Sequence, residues 1–312
     1  MSCFYLLMGP TQELDLARAE LWALAGCAPR GRVAIGPLGV DVSRAAYVRL
    51  CGQQLAAAVD WPQLHAAIAR LELRCERYRI EVVRPAPKVP VAAADLEKAI
   101  ADLITGRPDL RHPHVQFAVI AAPGDWRFGQ VISQSQQRWR RQARRPYHFS
   151  HALPAPMARA LVNMVAAPGD TLVDPCCGLG TVVAEALADG VRALGMEINP
   201  ALAQQAAANL AALGLPGNIV VGDARTCRGH FDAAVIDFPY GHSTRVAPEL
   251  YADILLNLRP QVQRMALVFG TDQHRLLGEL GLTVCQEARV TKGRLVRHIY
   301  VVSTKEGQSP AR

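Results

Sequence analysis

The chain has 312 residues, which is too long for one ordinary domain and suits two or three. Half of the residues are hydrophobic and 20% are charged, a composition that excludes a disordered protein. The net charge is +7, and all of the excess lies in residues 1–150, which carry 20 basic and 13 acidic side chains against 14 of each in residues 151–312.

The distribution of apolar residues and cysteines disfavours two further classes, membrane or exported proteins and metal-binding proteins. The apolar runs are too short to span a membrane, and no basic segment precedes an apolar one at the N-terminus, so we expect a cytoplasmic protein. The eight cysteines form no Cys-x-x-Cys pair and have no histidine at ligand spacing. We therefore expect no metal site.

The first part of the chain indicates a small α+β domain. Residues 3–8 form an apolar run typical of a buried strand, and residues 11–25 mix leucines with charged residues as a helix does. Residues 44–59 and 64–71 are predicted to be further helices. Short strands between these helices complete a predicted domain over residues 1–75.

A second small unit is predicted over residues 76–133. Residues 78–83 alternate as a half-buried strand, and residues 92–105 are predicted to form a helix. Residues 115–121 and 126–132 then form a predicted hairpin around a Pro-Gly-Asp turn.

An arginine-rich segment follows, within a predicted linker over residues 134–150. Five of the eight residues from Arg138 to Arg145 are arginine, and a tryptophan lies among them. Such a run is compatible with a solvated linker, but guanidinium groups and an aromatic ring together can bind phosphates and stack on bases. We predict RNA contact through Arg138, Trp139, Arg140, Arg141, Arg144 and Arg145.

Residues 151–312 alternate between predicted strands and helices and end in a predicted hairpin. This order is typical of a parallel sheet covered by helices, with an antiparallel edge. In such α/β sheets the ligand lies beyond the carboxyl ends of the strands. The residues at those strand ends are therefore the candidates for a functional site.

The first strand of this region ends in a glycine turn that leads into a helix, Asp-Pro-Cys-Cys-Gly-Leu-Gly-Thr. A dinucleotide-binding loop would require glycine where Val183 stands, and the Asp174 carboxylate would repel a pyrophosphate. S-adenosylmethionine instead carries an ammonium and a sulfonium, which a carboxylate attracts. The predicted cofactor contacts in this turn are Asp174, Cys176, Cys177, Gly178, Gly180 and Thr181.

The next two strands also end in carboxylates. Glu197, followed by Ile198, is placed to accept hydrogen bonds from the ribose hydroxyls, although it could simply begin a helix. Asp223, followed by Ala224, is placed near the adenine amino group, although it could simply be a helix N-cap. We include all four residues in the predicted cofactor site.

The fourth strand delivers Asp237-Phe238-Pro239-Tyr240, the predicted catalytic residues. An exocyclic base amine is a weak nucleophile because its lone pair is delocalised into the ring. If the Asp237 carboxylate and the Phe238 backbone carbonyl accept its two hydrogens, the lone pair is freed to attack a methyl group. Tyr240 can stack on a base turned out of its helix, and Pro239 fixes the backbone between them.

These motifs resemble those of the THUMP-domain tRNA guanosine-N2 methyltransferases, which modify position ten of tRNA. The resemblance rests on the segment Tyr-His-Phe-Ser-His-Ala-Leu-Pro from Tyr147 onward, on the glycine turn after Asp174 and on Asp-Phe-Pro-Tyr-Gly. It implies a Rossmann-like class I methyltransferase domain over residues 151–312. It also implies a ferredoxin-like domain over residues 1–75 and a THUMP-like RNA-binding domain over residues 76–133, which together grip the acceptor end of tRNA.

The chain departs from the family's usual Asp-Pro-Pro-Tyr at Phe238. Because the proposed chemistry needs only a backbone carbonyl there, we expect activity to survive, and the substitution bears on how the base is held. Two alternatives stay open: methylation of an adenine or cytosine amine in rRNA or DNA, and a non-catalytic RNA-binding protein that keeps the fold. Retention of all four strand-end carboxylates argues against the non-catalytic reading.

Overall fold

The computed structural model describes residues 2–85, 91–149, 152–239, 249–293 and 295–304. Among these residues the helices are α1 (Leu14–Ala25), α2 (Trp61–Ala69), α3 (Ala93–Ala101), α4 (Ala155–Val165), α5 (Thr181–Ala188), α6 (Pro200–Ala212), α7 (Leu250–Leu258) and α8 (His274–Glu279), with short 3-10 helices at Thr11–Glu13, Arg138–Arg144 and Ala224–Thr226. None of these helices is both long and apolar enough to cross a membrane.

The strands fall into two sheets. The first eight are β1 (Cys3–Leu7), β2 (Pro29–Arg30), β3 (Val33–Gly36), β4 (Val48–Ala58), β5 (Arg74–Val83), β6 (Thr105–Pro108), β7 (Val115–Ala122) and β8 (Asp125–Gln134). The others are β9 (Thr171–Asp174), β10 (Arg192–Glu197), β11 (Asn218–Val221), β12 (Phe231–Asp237), β13 (Val262–Phe269), β14 (Thr283–Lys292) and β15 (Leu295–Ser303).

The chain divides into two compact units that interleave in sequence. Unit 1 comprises Met1–Met8, Cys27–Ser43 and Val48–Ser135. Unit 2 comprises Gly9–Gly26, Arg44–Tyr47 and Gln136–Arg312. Helix α1 and the residues around Arg44 therefore belong to the C-terminal unit, although they lie within the first 50 residues of the sequence.

Unit 1 is built on one eight-stranded sheet with the order β2-β3-β1-β4-β8-β7-β5-β6. One face carries a core in which Tyr78, Ile80 and Phe117 pack with apolar residues of α2 and α3. The sheet is continuous across the predicted boundary at residue 75, because β5 begins at Arg74 and β4 pairs with β8. The strands predicted for two separate domains therefore share one sheet.

The predicted helix over residues 44–59 is wrong. Residues Val48–Ala58 form strand β4, which pairs antiparallel with β1 on one side and with β8 on the other. Alanine, glutamine and leucine in this segment favour a helix locally, but pairing on both edges satisfies the backbone of a strand instead. Tertiary context thus overrides local propensity.

Unit 2 confirms the predicted parallel sheet with an antiparallel edge. Its seven strands have the order β11-β10-β9-β12-β13-β15-β14, and β9 to β13 pair in parallel. The final hairpin, β14 and β15, pairs antiparallel and joins the sheet through β13.

The strand order of unit 2 fixes where a ligand can bind. From β9 the chain proceeds outward through β10 and β11, then returns to the other side of β9 with β12. The order therefore reverses between β9 and β12, and the carboxyl ends at such a switch point form a crevice. Asp174 ends β9, Glu197 ends β10 and Asp237 ends β12.

Candidate active site

The turn between β9 and α5 depends on two glycines. Gly178 and Gly180 have φ of 52° and 75°, the left-handed region that other residues rarely adopt. A Cβ on Gly180 would also come within 3.3 Å of the Ala206 side chain on α6. The turn therefore brings the backbone close to α6 and exposes its amides toward the end of β10.

Glu197 fixes this turn from the neighbouring strand. Its Oε2 accepts a hydrogen bond from the Gly178 backbone amide at 2.9 Å, and its Oε1 accepts one from the Asn199 amide at 2.9 Å. Asn199 in turn caps α6, which begins at Pro200. Both carboxylate oxygens are oriented by these bonds and keep further lone pairs for a ligand.

A cavity of about 830 Å³ lies at this edge of the sheet, entirely within unit 2. The four predicted carboxylates, Asp174, Glu197, Asp223 and Asp237, all line it. Of the ten predicted cofactor residues, nine contribute to the lining, and Gly180 alone does not. Separate strand ends thus bring four acidic side chains to one volume.

The charge in this cavity favours a cationic ligand. Asp174 is 3% exposed, and its Oδ1 accepts a hydrogen bond from the Cys176 amide at 3.2 Å. Burial, followed by the negative charges of Asp237 and Glu197, raises the pKa of Asp174 well above its usual value. Positive charge bound here would relieve both the repulsion and the cost of burial.

The two cysteines of the turn are not activated nucleophiles. Burial raises the pKa of both Cys176 and Cys177, and the nearby carboxylate of Asp174 raises it further. The thiolate is the nucleophilic form of cysteine, so these side chains stay neutral at ordinary pH. Their small size and position suit packing against a ligand.

Asp223 is a helix cap that also lines the cavity. It caps the 3-10 helix Ala224–Thr226 by accepting a hydrogen bond from the Arg225 amide at 2.9 Å, and it also lines the cavity. The Arg225 side chain, which donates hydrogen bonds to the carboxylate, lowers the pKa of Asp223. Asp223 therefore stays ionised at the mouth of the site.

Phe238 lies in the core and fixes the segment that follows β12. Its ring is 1% exposed and stacks on Phe269 with centroids 4.5 Å apart and an 8° angle between planes. The ring of Tyr251 packs beside it, and the Tyr251 hydroxyl donates a hydrogen bond to the Pro239 carbonyl at 2.8 Å. The aromatic ring thus anchors the backbone after Asp237. Asp237, Phe238 and Pro239 all line the cavity, whereas Tyr240 lies outside the described residues.

Sequence reasoning missed several residues of the cavity wall. Phe149 lines it with a ring that is 62% exposed, and Lys292 brings a cation from the end of β14. Phe149 lies in the segment that carries the family resemblance and has no chemical signal of its own, whereas no local pattern relates position 292 to Asp174. The meeting of Lys292 with the acidic strand ends is decided by the pairing of the final hairpin.

Asn209 is a further residue near the site that the sequence analysis did not predict. A polar amide within the alanine-rich helix α6 is a pattern that could have indicated it. Its side chain has no exposed surface, and its Nδ2 donates to the carbonyls of Leu179 and Tyr147 at 3.0 and 3.1 Å. Its Oδ1 accepts from the Tyr147 amide at 3.0 Å. Asn209 therefore joins the glycine turn to the segment that carries Phe149.

The predicted RNA-binding residues lie on the 3-10 helix Arg138–Arg144 and at its end, and none lines the cavity. Arg140, Arg141 and Arg144 are exposed, and the Arg140 guanidinium lies 5.6 Å from the centre of the Trp139 ring. Arg138, Trp139 and Arg145 are partly buried. No group of three or more histidine, cysteine or acidic side chains in the described part of the chain is arranged to hold a metal ion.

The chain resembles known proteins in sequence over part of its length. A family model described as UPF0020, RMKL-like, methyltransferase domain, matches residues 141–298. A tRNA (guanine(10)-N2)-dimethyltransferase of Methanothermobacter thermautotrophicus is 33% identical over 133 residues, 40% of each chain. A protein of the same name from Pyrococcus abyssi is 34% identical over 143 residues, 43% of each chain. The alignments thus span less than half the length of these curated relatives.

A solved structure resembles nearly the whole chain. The crystal structure of TrmN from Thermus thermophilus aligns with 97% of this chain and 99% of its own, with a TM-score of 0.53 and 20% sequence identity. At this identity the similarity shows the fold. Together with the family match, it identifies the sheet of unit 2 as that of a Rossmann-like class I methyltransferase.

Proposed function

The chain belongs to the UPF0020 family, with its RMKL-like methyltransferase domain, and we propose that it methylates the exocyclic N2 amine of a guanosine in tRNA. The methyl donor is S-adenosylmethionine, and the target is position ten. The observation that carries the proposal is the single cavity lined by Asp174, Glu197, Asp223 and Asp237. A tRNA substrate implies action in the cytoplasm.

The carboxylates of the first three strands suit the cofactor. Asp174 attracts the ammonium group, because its burial beside two other acids disfavours negative charge without a cationic partner. Glu197, oriented by two backbone amides, accepts hydrogen bonds from the ribose hydroxyls. Asp223, Ile198 and Ala224 line the same cavity. The Asp223 carboxylate would accept a hydrogen bond from the adenine amino group, and Ile198 and Ala224 would pack against the ring. When bound, the cofactor supplies an electrophilic methyl group on a sulfonium.

Asp237 and the backbone of Phe238 prepare the nucleophile. The carboxylate and the carbonyl oxygen would each accept one hydrogen of the base amine, which withdraws its lone pair from the ring and directs it at the methyl group. As the nitrogen–carbon bond forms, the bond between the methyl carbon and sulfur would break and S-adenosylhomocysteine would leave, while the Asp237 carboxylate would take the proton that the amine loses. This arrangement acts by position and fixed electrostatics and needs no strong base. The stacked ring of Phe238 holds the carbonyl in place, and Tyr240 is proposed to stack on the base.

The choice of guanine in tRNA is supported by the curated relatives, both named tRNA (guanine(10)-N2)-dimethyltransferase. Asp237 and Phe238 would accept hydrogens from any base amine. These two residues therefore favour methylation of an amine, and other contacts must select which base carries it. The arginine segment, residues 138–145, supports a nucleic-acid substrate, because its exposed guanidinium groups and the Trp139 ring are suited to contact phosphates and bases.

The test supplies labelled S-adenosylmethionine with unmodified tRNA, rRNA and DNA, and identifies the modified nucleoside by mass spectrometry. We expect N2-methylguanosine or N2,N2-dimethylguanosine at position ten of tRNA. Asp237→Asn, which keeps the shape of the side chain but loses its charge, should lower kcat on the order of 10²- to 10³-fold. Label on adenine or cytosine would overturn the assignment of the base, and no transfer to any substrate would overturn the activity.

A further inference from the structure

A chain of buried polar side chains crosses unit 2 and ends at the cavity. Glu185 of α5 is 2% exposed, and it accepts hydrogen bonds from Gln142 and Arg159 at 2.7 Å each. Arg159 of α4, 1% exposed, also forms an ion pair with Asp189 at 2.8 Å. Buried charges at this depth are tolerated only with such partners.

The chain of contacts continues into the N-terminal part of the sequence. Arg44 lies 2.7 Å from Asp189 and donates to the Asn163 side chain at 2.9 Å. Asn163 then donates to Glu20 of α1 at 2.7 Å, and Glu20 accepts the backbone amides of Ala46 and Tyr47. Glu185 in α5 and Asp189 just after its last turn are therefore held by Arg44, Gln142 and Arg159, which come from three separate parts of the sequence.

The arginine segment holds the outer end of α5. The Gln142 side chain, 4% exposed, donates to the Thr181 carbonyl at 3.2 Å. Arg145 donates to the Thr181 hydroxyl at 2.8 Å and to the Gln142 carbonyl at 3.2 Å. Thr181 is the first residue of α5 and lines the cavity. One short segment thus exposes arginines to solvent on one side and, on the other, binds Thr181 at the end of the turn between β9 and α5, which we call the cofactor turn.

The segment itself has little internal stability. It is a 3-10 helix, whose hydrogen-bond geometry is poorer than that of an α-helix. It follows Gln137, a residue other than glycine with φ of 48°, and no side chain caps its start. When one ligand orders such a segment, the conformational entropy of the segment is already lost. A second ligand that binds the same segment therefore binds more tightly.

We propose that Gln142 and Arg145 are positioning residues that couple RNA contact on the arginine segment to the cofactor turn through Thr181. RNA held by Arg140, Arg141 and Arg144 fixes the segment, and its inner side then fixes the start of α5. The two ligands consequently bind with positive cooperativity, each raising the affinity for the other by the same factor. This inference rests on the proposed function, because it takes tRNA and S-adenosylmethionine as the ligands.

The test measures coupling without turnover. The dissociation constant of S-adenosylhomocysteine is determined by calorimetry on the full chain, alone and with a saturating unmodified tRNA transcript. For the natural sequence we expect tRNA to tighten binding by on the order of 5- to 50-fold. Gln142→Ala should bring this ratio to within about twofold of one. Thermal unfolding of each variant checks that the fold is kept.

A matched pair at Thr181 tests the same link without disturbing the buried acids. Thr181→Ser keeps the hydroxyl that Arg145 binds and should retain the coupling ratio, whereas Thr181→Val keeps the branched shape and should lose it. A natural ratio near one, or equal ratios in the two variants, would overturn the inference. If tRNA is methylated normally but does not change the dissociation constant of S-adenosylhomocysteine, the coupling is refuted and the proposed function stands. If tRNA neither binds nor is methylated, the proposed function itself is contradicted.

Discussion

Asp174 is the residue whose ionisation should control cofactor binding. Burial, and then the charges of Asp237 and Glu197, raise its pKa, so at low pH the carboxyl group is neutral and cannot attract an ammonium. As the pH rises through the raised pKa, the free protein comes to hold an uncompensated buried charge and loses stability, while its affinity for a cation increases.

We therefore expect S-adenosylhomocysteine to bind more tightly as the pH rises from 5 to 8. Calorimetry in buffers of equal ionic strength measures the change, which is at most about tenfold per pH unit for a single proton. Asp174→Asn should bind weakly and with a much flatter pH profile. An unchanged slope in this variant would show that another group controls binding.

At the same scale, Phe238 should contribute mainly to stability through its ring. Phe238→Ala removes the stacking on Phe269 and leaves a cavity in the core, so we expect the free energy of unfolding to fall by about 3–5 kcal/mol. Urea denaturation measures this change. Phe149→Ala is the matched control, because a ring that is 62% exposed should alter stability by no more than about 0.5 kcal/mol. Equal losses in the two variants would contradict the assignment.

At the scale of the element, the arginine segment should bind phosphates through its exposed side. Replacing Arg140, Arg141 and Arg144 with glutamine should weaken tRNA binding and lower the slope of log K against log salt by about 1 for each lost phosphate contact. Arg145 is left intact because it holds Thr181. Fluorescence anisotropy with labelled tRNA at several salt concentrations measures the slope.

In the absence of RNA, the affinity of this triple variant for S-adenosylhomocysteine should equal that of the natural sequence. If the slope of log K against log salt is unchanged, the segment does not contact phosphates and is simply a solvated surface. A large loss of cofactor affinity without RNA would mean that the exposed arginines, and not only Gln142 and Arg145, stabilise the cofactor turn.

At the scale of the whole molecule, unit 2 is not contained in the C-terminal half of the sequence, because it includes Gly9–Gly26 and Arg44–Tyr47. Helix α1 packs against α4 and β14, and Arg44 pairs with Asp189. A fragment that begins at residue 136 would lose both and would leave Asp189 and Asn163 without partners from α1 and Arg44. Removing one partner of a buried ion pair costs about 3–5 kcal/mol.

We therefore expect a fragment of residues 136–312 to unfold at a much lower temperature than the full chain, or to fail to fold cooperatively. Thermal unfolding followed by circular dichroism tests this, and Arg44→Ala in the full chain isolates the contribution of the ion pair. A fragment that folds cooperatively and binds S-adenosylhomocysteine as the full chain does would refute the role of the N-terminal residues.

The sequence by itself determined that the C-terminal region forms a parallel sheet with an antiparallel edge, and it indicated which carboxylates lie at the ends of the strands. Alternation of strands and helices predicts a parallel sheet, and a parallel sheet places the ends of its strands at one edge, so Asp174, Glu197 and Asp237 could be brought together without coordinates. Turn chemistry marked element ends well, as at Asn199-Pro200 before α6. These are local patterns, or they follow from one rule of sheet topology.

Only the tertiary structure decided which distant segments are partners. Strand β4 forms because two neighbouring strands offer it hydrogen bonds, and α1 joins unit 2 because Glu20 and Asn163 meet there. The same holds for the inward face of Gln142 and for Lys292 at the cavity. Long-range pairing depends on complementary surfaces more than 100 residues apart in places, and no window of a single sequence contains both sides of such a contact.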